Sequence, residues 1–183
     1  VDPAKVLVIG GGISGTEAAK MALGLGADVT ILDTNKQRLN DLVSLFEGKV
    51  KCVLSTKESI DKYAIDSDLI IGAVLIPGAK APKLLTKNSL KRLKSRCVIV
   101  DIAIDQGGCF ETSKPTTHEN PVYVVDDVLH YCVANMPGAV PYTSTKALTN
   151  RTLPYVIEIA EKGWKEASKT NKEIKTGLNI VKG

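Results

Sequence analysis

Gly10-Gly11-Gly12-Ile13-Ser14-Gly15 stands between the apolar run Val6-Leu7-Val8-Ile9 and a helix-forming stretch, Thr16-Glu17-Ala18-Ala19-Lys20-Met21-Ala22. A strand that ends on G-x-G-x-x-G and passes straight into a helix reads as the start of a βαβ unit. A second apolar run, Val29-Thr30-Ile31-Leu32, ends on Asp33, eighteen residues past Gly15. Each part has a physical task on a dinucleotide. Gly10 permits a tight turn, Gly12 lets backbone approach a pyrophosphate, and Gly15 lets the helix pack close to the sheet. Ile13 and Ser14 sit in the first turn, where free N–H groups and the positive dipole end favour phosphate. Asp33 can accept from the adenosine ribose hydroxyls, and its charge repels a 2′-phosphate, so the pattern favours NAD over NADP. The competing reading is a glycine-rich turn in an unrelated α/β protein, and the ordered context weighs against it.

Apolar runs continue at 50–54, 68–74, 97–104 and 122–125, giving six expected strands with those at 5–9 and 29–33. They are rich in Val, Ile and Leu and mostly lack the alternation of a half-exposed strand, as expected for a parallel sheet buried on both faces. Helical patterns lie between them at 15–25, 35–46, 57–65 and 83–93, with Asn35 placed to cap the second. The expected fold is therefore α/β: a doubly wound parallel sheet, the Rossmann dinucleotide-binding fold, over residues 1–142. Residues 143–183 form a C-terminal helical extension, with a long helix over 143–168, a kink at Pro154 and a Lys-rich tail. Its apolar face fits either packing on a second domain or subunit, or a capping helix with a frayed tail.

Composition narrows the class. A 183-residue chain with 44% hydrophobic and 24% charged residues is ordinary for a globular protein. The net charge of +4 is spread out and aromatics are only 4%, which argues against nucleic-acid binding. The basic run from Lys87 to Arg96 reads as a solvated helix face. The longest apolar stretch, Leu69 to Ile76, is far short of the roughly 18 residues that span a bilayer, so no membrane partner is expected. Cys52, Cys97, Cys109 and Cys132 form no C-x-x-C pair and read as reduced thiols of a cytoplasmic protein. His118 and His130 have no metal-ligand spacing, so no metal is expected, and no G-x-S-x-G elbow is present.

Ligands of open α/β sheets bind outside the carboxyl ends of the strands. That rule selects three further segments. Val74 and Leu75 open a Pro- and Gly-rich loop running to Pro82, beside the expected cofactor path. Ile102, Ala103 and Ile104 lead into Asp105-Gln106-Gly107-Gly108. Asp105 stands at the strand end, as a carboxylate at the crevice mouth or as a turn-forming residue, whereas Asp101 reads as a structural acceptor. Asn135, in Val133-Ala134-Asn135-Met136, carries an amide suited to a nicotinamide carboxamide.

Five segments together resemble the NAD-binding C-terminal part of the L-alanine dehydrogenase family. They are Val8 to Gly15, Ile71 to Lys83, Val100 to Glu111, Pro115 to His118, and His130 to Pro141. The related transhydrogenase α-subunit shares the first two, but resembles the Asp105 segment less well. The resemblance implies NAD-dependent interconversion of L-alanine with pyruvate and ammonia. Hydride passes from the alanine Cα to nicotinamide, and water attacks the resulting imine. It implies Asp33 on the adenosine ribose with Arg38 near it, Ser55 near the adenine, and Val74 and Leu75 along the cofactor path. It places Ile102, Ala103, Ile104 and Asp105 beside the nicotinamide, with Asp105 as the catalytic carboxylate, and Val133, Ala134, Asn135 and Met136 closing over it.

Members of that family carry an N-terminal domain that supplies a substrate-binding Arg and Lys and a catalytic His. Nothing in these 183 residues replaces it. The expectation is a cofactor half, inactive alone, from an enzyme that assembles as a homo-oligomer, commonly a hexamer. The alternatives are an autonomous NAD(H)-binding or regulatory module and a transhydrogenase-type enzyme.

Overall fold

The computed structural model describes residues 1–75 and 81–181. The chain divides into two compact units, Val1–Met136 and Pro137–Gly183.

The first unit is built on β1 (Lys5–Ile9), β2 (Asp28–Asp33), β3 (Lys51–Leu54), β4 (Leu69–Gly72), β5 (Val98–Asp101), β6 (Val122–Val125) and β7 (Val128–Tyr131). They form one sheet in the order β3-β2-β1-β4-β5-β7-β6. All neighbours are parallel except β6, which runs antiparallel to β7. Between strands lie α1 (Ile13–Gly24), α2 (Lys36–Leu45), α3 (Lys57–Ala64) and the single turn α4 (Lys87–Leu90).

Alternate residues of each central strand enter different cores. Val6 and Val8 of β1 pack with Val29, Ile31, Ala19 of α1 and Leu42 of α2. Leu7 and Ile9 pack on the other face with Leu32, Ile70, Ile99 and Ile60 of α3. Both faces are therefore apolar, which is why these strands read as continuous Val/Ile/Leu runs. The helix starts follow local chemistry. Asn35 accepts from the Arg38 N–H at the start of α2, and Thr56 and Ser59 form a reciprocal capping pair on α3.

Four sequence expectations change. A seventh strand, β7, joins the sheet through a hairpin whose turn residues Asp126 and Asp127 have φ of 48° and 63°. Two successive left-handed residues are the geometry of a tight two-residue hairpin. The run 122–125 is accordingly an antiparallel edge strand, not a sixth parallel one. β5 stops at Asp101, because the next residues turn over that carboxylate. The expected helix 83–93 contracts to Lys87–Leu90, because Ala81, Leu84 and Leu85 bond instead to residues 106–111.

The second unit contains α5 (Pro141–Thr170) and α6 (Lys172–Thr176). Pro154 lies inside α5, but the non-helical backbone falls at Gly163 (φ 72°, ψ 153°). Tyr155, Ile159, Trp164, Ile174 and Leu178 line an apolar cavity of about 420 Å³ within this unit. No helix among the described residues is long and apolar enough to cross a membrane.

His130 of β7 is fully buried and stacks on Tyr123, ring centroids 4.9 Å apart. Its Nδ1 lies 3.0 Å from the Val128 carbonyl and so carries the proton, while Nε2 accepts from the Thr112 hydroxyl at 2.8 Å. Burial holds His130 below the usual imidazole pKa, against the opposing pull of the Val128 carbonyl and Asp101. The unfolded chain thus binds a second imidazole proton more readily than the native one. The stabilisation is complete above the unfolded value near 6.5 and is lost as pH falls through the lowered native value. Thermal melts should show stability falling between pH 7 and 5.5 with a slope of at most about 1.4 kcal/mol per pH unit from this group. A His130→Gln chain should show a shallower slope, and an unchanged slope would contradict the assignment.

A second prediction concerns Gly72 at the end of β4, where a Cβ would overlap the Cys109 sulfur and stand 2.8 Å from the Phe110 ring. Both neighbours are fully buried. Gly72→Val should cost at least about 1–3 kcal/mol of stability by denaturant unfolding, as overpacking of a filled core does.

Candidate functional site

β1, β2, β3, β4, β5 and β7 all point the same way, so their carboxyl ends share one edge of the sheet. The chain moves outward from β1 to β2 and β3, then crosses back to β4. Between β1 and β4 the succession reverses, and a crevice opens there. Gly10, Asp33, Ser55, Val74 and Leu75 line one cleft of about 300 Å³ at this place.

The glycine loop owes its shape to close contacts. Gly10 has φ +104°, and a Cβ there would lie 2.6 Å from the Ala73 carbonyl oxygen. A Cβ on Gly15 would overlap the Gly10 carbonyl oxygen. Gly12 is different: nothing lies within 4 Å of its Cβ position, so its approach is open. Gly12 is the N-cap of α1 without any side-chain cap, and Ile13 and Ser14 are exposed beside it. The helix start therefore offers backbone donors to the crevice edge.

Asp33 splints this loop. One carboxylate oxygen accepts from the Gly11 N–H and the other from the Asn35 N–H, both at 2.8 Å. The group is only half-buried, so it retains lone pairs for a further donor. Arg38 does not point at Asp33. Its Nε donates to the Gly11 carbonyl at 2.7 Å and its Nη2 to the Thr16 hydroxyl at 2.8 Å. Arg38 thus braces the glycine loop from beneath, together with the buried Thr16, whose hydroxyl also donates to Gly11.

One strand further along, β5 ends on Asp101, which is fully buried. Its carboxylate accepts from the N–H groups of Ala103 (3.0 Å) and Cys109 (2.8 Å), the Cys109 thiol (3.3 Å) and the Ser113 hydroxyl (2.5 Å). Burial, and next the Asp101 charge, push the Cys109 thiol upward, so it stays a donor. The turn that follows is a short 3-10 helix, Ile104–Gln106, with Asp105 exposed on it. Ala103 and Ile104 are buried, while Ile102 is half-buried.

Beyond β7, Val133 is fully buried and pairs with Thr116. Ala134 and Met136 are half-buried. Asn135 is exposed in a left-handed conformation (φ 55°), and its carbonyl accepts from His118 Nε2 at 3.1 Å. The described residues of these segments follow the carboxyl ends of the strands, but they do not line one cavity. Residues 102–105 and 133–136 stand outside the cleft that holds Asp33. Residues 76–80 of the expected strand-end loop lie outside the described residues.

Sequence reasoning missed Gly11, Thr16 and Lys83. Gly11 had a signal in the triple glycine: a Cβ there would stand 2.6 Å from Leu42 Cδ1. Thr16 and Lys83 had none, since Thr16 accepts from Arg38, 22 residues away, and Lys83 donates to carbonyls 24 to 27 residues away.

Comparison with known proteins gives a consistent picture. The family described as "Alanine dehydrogenase/PNT, C-terminal domain" matches residues 1–183. An alanine dehydrogenase of Halomonas elongata is 58% identical over 183 residues, covering all of this chain and 49% of that protein. A solved L-alanine dehydrogenase superposes with a TM-score of 0.91 at 50% identity, over 98% of this chain and 50% of that one. A transhydrogenase from Sinorhizobium meliloti gives a TM-score of 0.76 at 26% identity, over 85% of this chain and 44% of that one. The chain spans about half the length of the curated relatives it matches. With this match over its whole length, on top of the crevice geometry, the chain belongs to the alanine dehydrogenase/PNT C-terminal domain family.

Proposed function

We propose that the crevice binds NAD(H), and that the chain is the cofactor half of an enzyme interconverting L-alanine with pyruvate and ammonia. The observation that carries the first part is the pairing of an open Gly12 helix start with a fixed, half-buried Asp33 at the same strand ends. Such a pair offers neutral backbone donors to a pyrophosphate and a carboxylate to a ribose diol. The second part is supported by the names of relatives 58% identical over the whole chain.

In this reading Ser55, Val74 and Leu75 wall the adenosine end, and Arg38 supports the phosphate loop through Gly11. When bound, the nicotinamide ring supplies the hydride acceptor. Ile102, Ala103 and Ile104 give that end its backbone edge, and Asp105, exposed on its turn, positions the substrate and holds a proton near it. Val133, Ala134, Asn135 and Met136 form the opposite rim. The groups that grip alanine belong to a part of the enzyme other than residues 1–183, so this chain alone does not oxidise it. The complete enzyme is a homo-oligomer, commonly a hexamer, acting in the cytoplasm, a setting that suits four free thiols.

Titration of the chain should give saturable NADH binding, with NADPH at least about 10-fold weaker. Asp33→Asn should weaken NADH by about 10- to 100-fold, the worth of a charge-assisted hydrogen bond. NADPH bound as tightly as NADH by the unmodified chain would rule out the role given to Asp33. Alanine plus NAD should yield no NADH with this chain alone. A chimera in which it replaces the matching half of the Halomonas elongata alanine dehydrogenase should be active. In that chimera Asp105→Asn should lower kcat by about 100-fold or more, with NADH affinity nearly unchanged.

A further inference from the structure

Five successive carbonyl groups, from Gln106 to Phe110, accept from one short segment. The Ala81 N–H donates to Gln106 at 3.1 Å and the Leu84 N–H to Cys109 at 2.7 Å. The other three meet the Lys83 ammonium, at 2.6 Å for Gly107, 2.7 Å for Gly108 and 3.2 Å for Phe110. Gly107 and Gly108 both have positive φ, +89° and +71°. Among the described residues, no backbone N–H bonds to the carbonyl of either. An ammonium has three N–H groups, and three convergent oxygens satisfy it.

Asp101 does the complementary work on the same turn, accepting the N–H groups of Ala103 and Cys109. The turn that carries Asp105 is therefore held by a carboxylate on its donors and by an ammonium on its acceptors. Charge-assisted hydrogen bonds of this kind are shorter and stronger than neutral ones.

We propose that Lys83 is a positioning residue. Its ammonium fixes the turn over residues 102–108, so that Asp105 and the Ile102–Ala103 backbone keep their place at the crevice mouth. It acts through the main chain and touches no ligand. The inference rests on the NAD(H) reading above, with the nicotinamide end at Asp105.

The test compares two ligands. NADH reaches the nicotinamide end, whereas ADP-ribose stops at the ribose before it. Both are titrated against the unmodified chain, Lys83→Met and Lys83→Ala, with amide hydrogen exchange followed at Gly107–Cys109. Lys83→Met should weaken NADH by roughly 10-fold, leave ADP-ribose within about twofold, and speed exchange at Gly107–Cys109 but not in α1. Methylammonium should restore NADH affinity to Lys83→Ala, because a free ammonium can occupy the three carbonyls. Unchanged NADH binding in both variants would overturn the proposal. So would equal weakening of both ligands, or loss of the fold in both variants, since Lys83 would then support the domain and not the turn. If the unmodified chain binds neither ligand, the NAD(H) reading itself fails and takes this inference with it.

Discussion

Helix α1 can sit against β1 because Gly15 has no side chain where the Gly10 carbonyl stands. Everything at the crevice follows from that contact. It lets the chain leave β1, turn at Gly10 and enter the helix within a few residues, so the helix start arrives at the sheet edge. It also brings Gly11 to Asp33 and Arg38, which then hold its N–H and its carbonyl respectively. A side chain at position 15 would lift α1 off the sheet and scatter all of these partners.

The two ends of the crevice are organised by the same device. At the glycine loop, Asp33 takes a backbone donor and Arg38 a backbone acceptor. At the 102–108 turn, Asp101 takes donors and Lys83 takes acceptors. In both places charged side chains satisfy main-chain groups that the sheet ladder has released. Irregular backbone becomes rigid this way without secondary structure, because each polar group has a strong partner.

Most of the sheet was legible because strands buried on both faces must be apolar throughout, as Val6 to Ile9 are. β7 escaped because His130 interrupts its apolar run, and because a two-residue turn at Asp126–Asp127 leaves no room for the crossover helix that the other strands share. The 83–93 helix was overread for a related reason: its first half is paired to a strand-end loop by contacts 20 or more residues away in sequence. Gly10 and Asp33 were legible as cleft residues from the motif and the strand end, whereas Ser55 came only from the family resemblance. The bracing by Arg38 and Lys83 was not, because all but one of their acceptors are carbonyls, and every residue has one.

On the proposed NAD(H) reading Asp33 carries two duties on one carboxylate, and this bears on any attempt to re-engineer the crevice for a phosphorylated ribose. Replacing the acid with a small neutral residue would remove the repulsion but also release the Gly11 and Asn35 amides, the second of which begins α2. That helix carries Arg38, so the slack would spread to the brace beneath the loop. A successful redesign has to supply a new acceptor for Gly11 before it alters the charge, which makes selectivity and loop stiffness a single design variable here.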